Sequence, residues 1–473
     1  MKRLPYWKAF VPVLTGIALY LIPVPQGLKP NAWYYFALFT AVIVALILEP
    51  IPAGAVGMIG VALAGSLLMV APKPSDSLRW ALSGFSNGTV WLIFIVYMFA
   101  MGYEKTGLGR RIALNLVKWL GKKTLGLGYA VAITDLLLAP FTPSNTARSG
   151  GMIFPIIKNI PPLYGSLPGE TGRKIGSYLM WTALASTCVT SSMFLTGLAP
   201  NLLALELVNK AAKVSITWSE WFVGFLPVGL LLFLLVPSLV YKIYPPTVKV
   251  SEDVVVWANR ELSKAGRITR KEWIMALLGI CALTLWIFGS RWLDATTVAL
   301  VVLCLMILTG ILKWNDILSC KQAWNVLVWF ATLVTLTEGL RLVKFLDWFA
   351  AITAGALKGM PIVVMVGFLV AIFFLVHYMF ASLAAHTAAL LPVFLAIAMA
   401  VPEMPIKLLA LMFCYTLGLM GILTPYAMGP SPIYYGSGYI ERKSFWALGL
   451  IFGLIFLLVL LAVGYPYMRW FTA

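Results

Sequence analysis

Long uninterrupted apolar runs constrain this chain more than any other feature. Clear examples cover residues 32–48, 53–70, 221–240, 362–376 and 445–463, and none of them alternates between polar and apolar residues. A helix of roughly 20 residues crosses the hydrocarbon core of a bilayer, whereas the strands of a membrane barrel alternate. The runs therefore predict an all-α polytopic membrane protein with about 11 transmembrane helices.

The composition agrees with a membrane protein. Of the 473 residues, 61% are apolar and 11% are charged, whereas roughly 25% are charged in a typical soluble domain. This composition excludes a soluble enzyme with a charged surface, and it excludes a disordered chain. The net charge is +18, but the basic residues lie mostly between the apolar runs, which indicates membrane topology rather than nucleic-acid binding.

The charged loops suggest how the chain is divided. Three such loops, at residues 104–123, 158–174 and 242–272, are predicted to face the cytoplasm together with the basic residues at the start of the chain. The basic start and the apolar residues 9–24 resemble a signal peptide, but no convincing cleavage site follows, so they are predicted to form the first helix. The predicted parts are an N-terminal helix at 1–30, a first inverted repeat at 31–245, a cytoplasmic linker at 246–272 and a second inverted repeat at 273–473.

Two polar segments interrupt apolar runs at corresponding places in the two halves, at residues 142–146 and 382–387. Pro143 disfavours helix at Thr142, and Ser144 is a good N-cap for the helix that follows. A helix start that faces a cavity offers free N–H groups and a positive dipole end to a carboxylate. Paired broken helices in inverted repeats are typical of secondary transporters with a site at the midplane. A capped kink that binds nothing is the alternative.

Further interruptions occur elsewhere in both halves. A Gly-x-Ala-Pro sequence precedes Asn201, and Pro425 interrupts a late run. Residues 85–91 and 323–329 lead into apolar runs and are too short to span a membrane, which predicts a re-entrant hairpin at each. Residues 84–88 fit the G-x-S-x-G nucleophile pattern, but their apolar helical context favours a hairpin tip instead.

Four ionisable residues lie within or beside the interrupted runs. Arg148 is predicted to pair with a substrate carboxylate or to supply a fixed positive charge, with snorkelling to the surface as the alternative. His386, in the second break, is predicted to be a site residue, whereas His377 is predicted to be a core residue. Asp135 is predicted to relay protons or to pair with a basic neighbour.

Neither a cofactor nor a metal ion is predicted. The five cysteines show no CxxC spacing and are predicted to be buried, inert thiols. H-E-x-x-H, Walker and dinucleotide motifs are absent, so primary active transport by this chain alone is not expected.

The run Thr142-Pro-Ser-Asn-Thr-Ala-Arg-Ser-Gly-Gly-Met-Ile-Phe-Pro155 resembles the first Ser-Asn-Thr motif of the divalent anion/sodium symporter family. Residues 424–439 are similar to the branch of citrate/succinate and 2-oxoglutarate/malate antiporters, and the resemblance covers almost the whole chain. It implies a homodimer in the cell inner (plasma) membrane, each protomer having a scaffold part and a moving transport part. It also implies two re-entrant hairpins, two broken helices and elevator-like transport.

The resemblance also implies site residues. The first motif would contact a substrate carboxylate. In the second repeat, Ala385-His386-Thr387 stands where Ser-Asn-Thr is expected, so only Thr387 carries over and sodium binding is disfavoured. The predicted substrate-binding residues are Ser144, Asn145, Thr146, Thr387, Thr142 and Pro425.

We therefore expect a sodium-independent exchanger of di/tricarboxylates such as succinate, malate, 2-oxoglutarate or citrate. Arg148 and His386 would supply the positive charge that sodium supplies elsewhere, and unpaired charge in the empty site would disfavour crossing without a counter-anion. The alternative is a sodium- or proton-coupled symporter, with Asp135 and His377 as proton carriers. An intramembrane enzyme would need a nucleophile–base pair at one depth, and a channel would show flux far above carrier rates.

Overall fold

The computed structural model describes residues 7–353 and 359–472, and helices dominate this part of the chain. The basic residues predicted to begin the first helix lie partly outside the described residues, because residues 1–6 are not among them.

The helices of the first half and the linker are α1 (Trp7–Leu21), α2 (Pro30–Leu48), α3 (Ala53–Ser66), α4 (Pro74–Leu82), α5 (Gly88–Thr106), α6 (Leu108–Leu120), α7 (Thr124–Leu138), α8 (Phe154–Ile157), α9 (Gly176–Met193), α10 (Ala199–Ala212), α11 (Trp218–Ile243) and α12 (Glu252–Ala265). The helices of the second half are α13 (Arg270–Phe288), α14 (Ala295–Leu308), α15 (Trp314–Ser319), α16 (Lys321–Leu342), α17 (Phe345–Thr353), α18 (Ile362–Leu375), α19 (Leu383–Met399), α20 (Ile406–Leu419), α21 (Pro430–Gly436), α22 (Arg442–Val459) and α23 (Tyr465–Phe471). Short 3-10 turns and two π-helical stretches, Thr146–Ile153 and Leu460–Gly464, extend or join several of them.

Eight helical stretches of the described residues are long and apolar enough to cross a membrane. Five shorter apolar helices accompany them, including α1, α3 and α14. The predicted all-α polytopic membrane fold is confirmed, while the count of about 11 spans and the division into repeats stay predictions.

The chain folds back at the first polar break. Arg148 Nε lies 3.1 Å from Asp135 Oδ1 across the break. These residues would be about 20 Å apart along a straight helix at 1.5 Å per residue. The helix that ends at Phe141 and the helix that begins at Thr146 are therefore two arms of a hairpin, with its tip at residues 142–145.

The second polar break is also a hairpin tip. The ring centroids of Phe373, on α18, and His386, on α19, are 4.5 Å apart. These two residues are as far apart in the sequence as Asp135 and Arg148, so the chain must reverse between them as well. A 3-10 turn, Val376–Met379, ends the first arm. Ser382 then caps the second arm, because its hydroxyl accepts a hydrogen bond from Ala385 N at 3.3 Å.

The two hairpins approach from opposite ends of α11, which is 26 residues long and therefore about 39 Å in length. In its first turn Glu220 Oε1 lies 2.7 Å from Lys407 Nζ, shortly beyond the base of the second hairpin. Its last residue leads into the basic linker, where Lys249 O accepts a hydrogen bond of 3.0 Å from Thr124 N at the base of the first hairpin.

The linker runs across the base of the first hairpin as a strap, defined here as residues 247–251. In addition to the bond from Thr124, Ser251 N donates to Lys122 O at 2.9 Å and Val248 N donates to Lys174 O at 2.9 Å. Beyond the strap, α12 packs along α6. The strap thus joins the first hairpin to the start of the second half.

The two polar segments predicted to be breaks within helices are hairpin tips instead, because the chain reverses at each of them. The interruptions predicted before Asn201 and at Pro425 are present. The chain is extended at Phe194 and Leu198 between α9 and α10, and a second interruption separates the 3-10 turn Met420–Ile422 from α21. Residues 323–329 lie inside the continuous helix α16, so the hairpin predicted there is wrong. Residues 85–91 belong to the turn Ser83–Ser86 and the start of α5.

The cysteines differ from the prediction. Cys188 and Cys414 are buried, but Cys281 and Cys304 are exposed on the outside of the helix bundle and Cys320 is half-buried. Their positions in apolar runs did not imply burial, because residues that face lipid are as apolar as residues of the core.

Candidate functional site

The first hairpin tip lies against the break between α9 and α10. Ala199 N donates a hydrogen bond of 2.7 Å to Pro143 O in the tip. Thr196 Oγ1, inside the break, donates to Pro140 O at 2.6 Å. Carbonyl oxygens of the first hairpin therefore find donors in the α9–α10 break, one from the backbone and one from a side chain.

The same tip also touches the late break at residues 423–429. Asn145 Nδ2 lies 3.1 Å from Met428 Sδ. Gly429 packs so closely on Thr146 that a Cβ on this glycine would lie 1.7 Å from Thr146 Oγ1. Just beyond, the hydroxyls of Ser149 and Tyr434 are 2.7 Å apart.

The second hairpin reaches the late break from the other side. His377 Nε2 lies 2.9 Å from Ala427 O, and α19 packs along α10. The two hairpin tips and the two broken helices are thus linked by direct contacts. They form one buried polar junction, which we call the four-break junction.

Arg148 lies inside this junction with its side chain fully buried. Nε faces Asp135 at 3.1 Å. Nη1 donates to Thr142 O at 2.9 Å and to Gly197 O at 2.8 Å, and Nη2 donates to Ser191 Oγ at 3.0 Å. The guanidinium therefore bridges carbonyl oxygens of both first-half breaks.

Asp135 compensates the charge of Arg148. Its carboxylate also accepts hydrogen bonds from the hydroxyl groups of Thr187, at 2.6 Å, and of Thr190. Of the two roles predicted for Asp135, pairing with a basic neighbour is the one seen. The sequence-based hypothesis for exchange assumed an unpaired buried charge in the empty site. Arg148 does not supply such a charge in this conformation, because Asp135 compensates it. Snorkelling is excluded by the burial of the guanidinium.

The predicted binding residues share the junction but differ in what they offer. Ser144 Oγ accepts a hydrogen bond of 3.2 Å from Ala147 N, as predicted for an N-cap, and Thr142 is buried beside it. Thr387 Oγ1 donates to Leu383 O at 2.7 Å, one turn back on its own helix. Pro425 lies half-buried in the late break.

His386 is packed in an apolar pocket. Its ring lies 5.0 Å from the ring of Phe380 and 5.1 Å from that of His377, in addition to Phe373. Neither of its ring nitrogens has a hydrogen-bond partner within the described part of the chain, although the side chain is buried. Buried polar groups normally find a partner, so the two ring nitrogens of His386 are free to bind a water molecule or a ligand.

The sequence did not single out two residues that shape the junction. Asn201 Nδ2 donates to Ser191 O at 2.7 Å and to Phe194 O at 3.1 Å, so it caps the end of α9, while its Oδ1 has no partner among the described residues. Met428 contacts Asn145 through its sulfur. The position of Asn201 directly after the Ala-Pro break was a usable signal, whereas Met428 was marked only by its place within the late segment 424–439.

Comparison with known proteins gives consistent results. The family profile described as "Sodium:sulfate symporter transmembrane region" matches residues 4–473. The chain is 49% identical to the citrate/succinate antiporter of Escherichia coli K12, with 97% of each chain covered. It is also 49% identical to the L-tartrate/succinate antiporter of E. coli O6:K15:H31, with 98% of each covered.

A solved structure supports the fold alone. The YdaH transporter of Alcanivorax borkumensis superposes with a TM-score of 0.57 at 16% identity, covering 93% of this chain and 99% of that one. With eight spanning helices among the described residues, the chain is a multi-pass membrane protein, and its bacterial relatives agree with the predicted inner-membrane location.

Proposed function

The chain belongs to the family of the sodium:sulfate symporter transmembrane region, and from this premise we propose that it exchanges di/tricarboxylates across the membrane without sodium. The family resemblance drawn from the sequence is thereby confirmed, and the family and its relatives are transporters rather than enzymes. Succinate is the first substrate to test, because both antiporters named above carry it.

The observation that carries sodium independence is the position of the Arg148 guanidinium. In transporters with broken helices, unwound backbone carbonyls coordinate the coupling ion. Here the carbonyls of Thr142 and Gly197, one from each first-half break, accept hydrogen bonds from Arg148. A sodium ion at this place would have to displace a buried, charge-paired guanidinium.

The substrate would lie at the four-break junction. One carboxylate would accept hydrogen bonds at the first tip, from the hydroxyls and amide of Ser144, Asn145 and Thr146 and from the free N–H groups of the helix start. The other carboxylate would face the second tip, where Thr387 and His386 lie. Thr142 and Pro425 would line the site through the two breaks to which they belong.

His386 provides a reason for obligatory exchange. In the empty carrier its ring contains at least one buried N–H without a partner among the described residues. An unsatisfied buried donor costs about 1–3 kcal/mol, and a bound carboxylate removes that cost. If the ring is protonated, the penalty of the empty state is larger. The loaded carrier would therefore cross the membrane more readily than the empty one.

The movement would be of the elevator type, in a homodimer of inverted repeats. The approach of the two hairpins from opposite ends of α11 supports the inverted repeats. Transport would displace the hairpins and broken helices as a unit relative to a scaffold, as the resemblance implies.

A proton-coupled symporter is the second candidate. Because Asp135 is engaged with Arg148 and two threonines, the proton would be carried by His377, whose Nδ1 is buried and lacks a partner among the described residues. External acid would then drive uptake into empty vesicles.

Counterflow in proteoliposomes tests the proposal. We expect uptake of radiolabelled succinate that requires internal succinate and is equal in sodium and choline buffers. Sodium-dependent uptake into empty vesicles would refute sodium independence, and acid-driven uptake into empty vesicles would select the proton symporter. Citrate, malate, tartrate and 2-oxoglutarate as internal counter-anions would then define the substrate range.

A further inference from the structure

An elongated apolar groove runs along the outer surface of the first three helices. It has a volume of about 480 Å³ and is lined by residues of α1, α2 and α3, among them Ile17, Tyr34, Ala45 and Leu63. The stretch of α2 from Tyr34 to Ala45 is about 17 Å long at 1.5 Å per residue. That length is close to half of the roughly 30 Å hydrocarbon core of a bilayer.

A charged cavity opens at one end of this groove. Its volume is about 720 Å³, and it lies between the start of α2 and the end of α16. Its charged residues are Lys29, Lys344 and Asp347, and Trp348 and Asn31 add polar groups. Within the described residues, neither lysine forms an ion pair, so the rim carries a net positive charge.

The cavity and the groove are adjacent. Asn31, which lines the cavity, donates a hydrogen bond of 2.5 Å to the carbonyl oxygen of Met69, which lines the groove. Val70, the next residue, lines the cavity. The cationic cavity and the apolar groove therefore lie next to each other, on the two sides of the Asn31–Met69 contact.

The cavity lies at the membrane surface opposite the basic loops. Lys344 lies two residues beyond the end of α16. At the other end of α16, the preceding helix α15 is held by the ion pair of Asp316 with Lys105 at 2.5 Å. Trp348 Nε1 donates to Gln26 O at 3.0 Å in the loop before α2. Tryptophan is enriched at the level of lipid head groups.

We propose that this composite site binds one anionic phospholipid, with its phosphate between Lys29 and Lys344 and one acyl chain in the groove. The shape fits an amphiphile, and the charge of the rim selects an anionic head group. Asp347 opposes part of the attraction. One lysine near an anionic lipid favours binding about fivefold, so two lysines opposed by one carboxylate predict a preference of about fivefold to tenfold over a zwitterionic lipid.

Native mass spectrometry of the full-length protein tests the proposal. Detergent-solubilised protein is titrated with phosphatidylglycerol and with phosphatidylcholine of identical acyl chains. We expect phosphatidylglycerol to be retained about fivefold to tenfold better, and direct competition between the two lipids on the unsubstituted protein gives the same ratio without any variant. Equal retention would overturn the proposal.

Matched variants locate the two parts of the site. The double variant Lys29→Ala/Lys344→Ala is expected to abolish the head-group preference. Lys73→Ala is the control and should leave the preference unchanged, because Lys73 is exposed three residues after Val70 and does not line the cavity. In the groove, Ile17 is 50% exposed and Phe10, on the same helix but outside the groove, is 61% exposed. Ile17→Trp should reduce retention of both lipids, and Phe10→Trp should not.

A second copy of the chain is the competing occupant of the groove. Ile17→Cys tests this in a background that carries Cys281→Ser, Cys304→Ser and Cys320→Ser, because the native thiols at these positions are exposed or half-buried. In this background, oxidation in native membranes would form a disulfide-linked dimer only if two grooves faced each other. Efficient dimer formation would overturn the lipid assignment, whereas a thiol that stays monomeric under oxidation supports it.

Discussion

Removing the guanidinium of Arg148 should convert the first tip into a cation site. In Arg148→Ala, the vacated space would be lined by the carboxylate of Asp135, the carbonyl oxygens of Thr142 and Gly197 and the hydroxyl of Ser191. Hard cations prefer such oxygen ligands, and one carboxylate balances the charge of one sodium ion. We therefore expect the variant to become sodium-responsive.

The magnitude follows from the burial of the pair. Both side chains are essentially inaccessible to solvent, and removing one partner of a buried ion pair costs about 3–5 kcal/mol. Sodium at ten times its dissociation constant would restore about 1.4 kcal/mol, and at a hundred times about 2.7 kcal/mol. Arg148→Ala should therefore unfold at a markedly lower temperature in choline and recover roughly half of the loss in sodium.

Thermal unfolding in detergent micelles measures the rescue, with succinate counterflow as a second readout. In choline buffer we expect no exchange by Arg148→Ala. The matched control is the double variant Asp135→Asn/Arg148→Ala, which keeps the space but loses the carboxylate, and sodium should not stabilise it. The unsubstituted protein should unfold at the same temperature in sodium, potassium and choline.

Two results would refute this reasoning. If Arg148→Ala were as stable as the unsubstituted protein in choline, the pair would not hold the tip. If sodium and choline gave the same unfolding temperature for the variant, the carbonyl oxygens of the two breaks would not form a latent ion site.

Three further predictions concern the junction. His386→Phe keeps the apolar packing but removes the ring nitrogens. The KM for succinate exchange should rise about 10- to 100-fold, because a charge-assisted hydrogen bond of about 1.5–3 kcal/mol is lost. An unchanged KM would show that His386 does not bind the substrate. Gly429→Ala places a Cβ against Thr146, so it should lower the free energy of unfolding by about 1–3 kcal/mol through overpacking and should also abolish exchange. Gly436→Ala meets no atom within 4 Å and should be neutral in the same unfolding and counterflow assays. Asn201→Leu should leave two buried carbonyls without donors and lower the free energy of unfolding by about 1–3 kcal/mol in a denaturation series; a smaller loss than that of Gly436→Ala would contradict its capping role.

The fold class and the positions of the breaks could be predicted from the sequence. Apolar runs of spanning length specify helices directly, because backbone groups in lipid must be satisfied within the segment. Pro143 and Ser144 mark a helix interruption through local chemistry alone. These features depend on neighbours in the chain, which the sequence displays.

The partners across each hairpin could not be predicted. The separation of Asp135 and Arg148 along the sequence would not bring them together on one helix. The ion pair forms only because the chain reverses between them. For the same reason the sequence indicated a substrate-carboxylate or a fixed-charge role for Arg148, and it indicated a core residue at His377. The hairpin predicted at residues 323–329 was wrong because polar residues at the start of a long helix resemble a short independent element.

The strap at residues 247–251 has a consequence for how the two halves communicate. Its hydrogen bonds to Thr124, Lys122 and Lys174 attach the start of the second half to the base of the first hairpin. If that hairpin is displaced along α11, the linker that leads into the second half moves with it. After cleavage of the peptide bond that follows Val250, the second fragment would still contact the first hairpin, because Ser251 N donates to Lys122 O and α12 packs along α6. The halves thus share a mechanical connection that does not depend on the continuity of the chain.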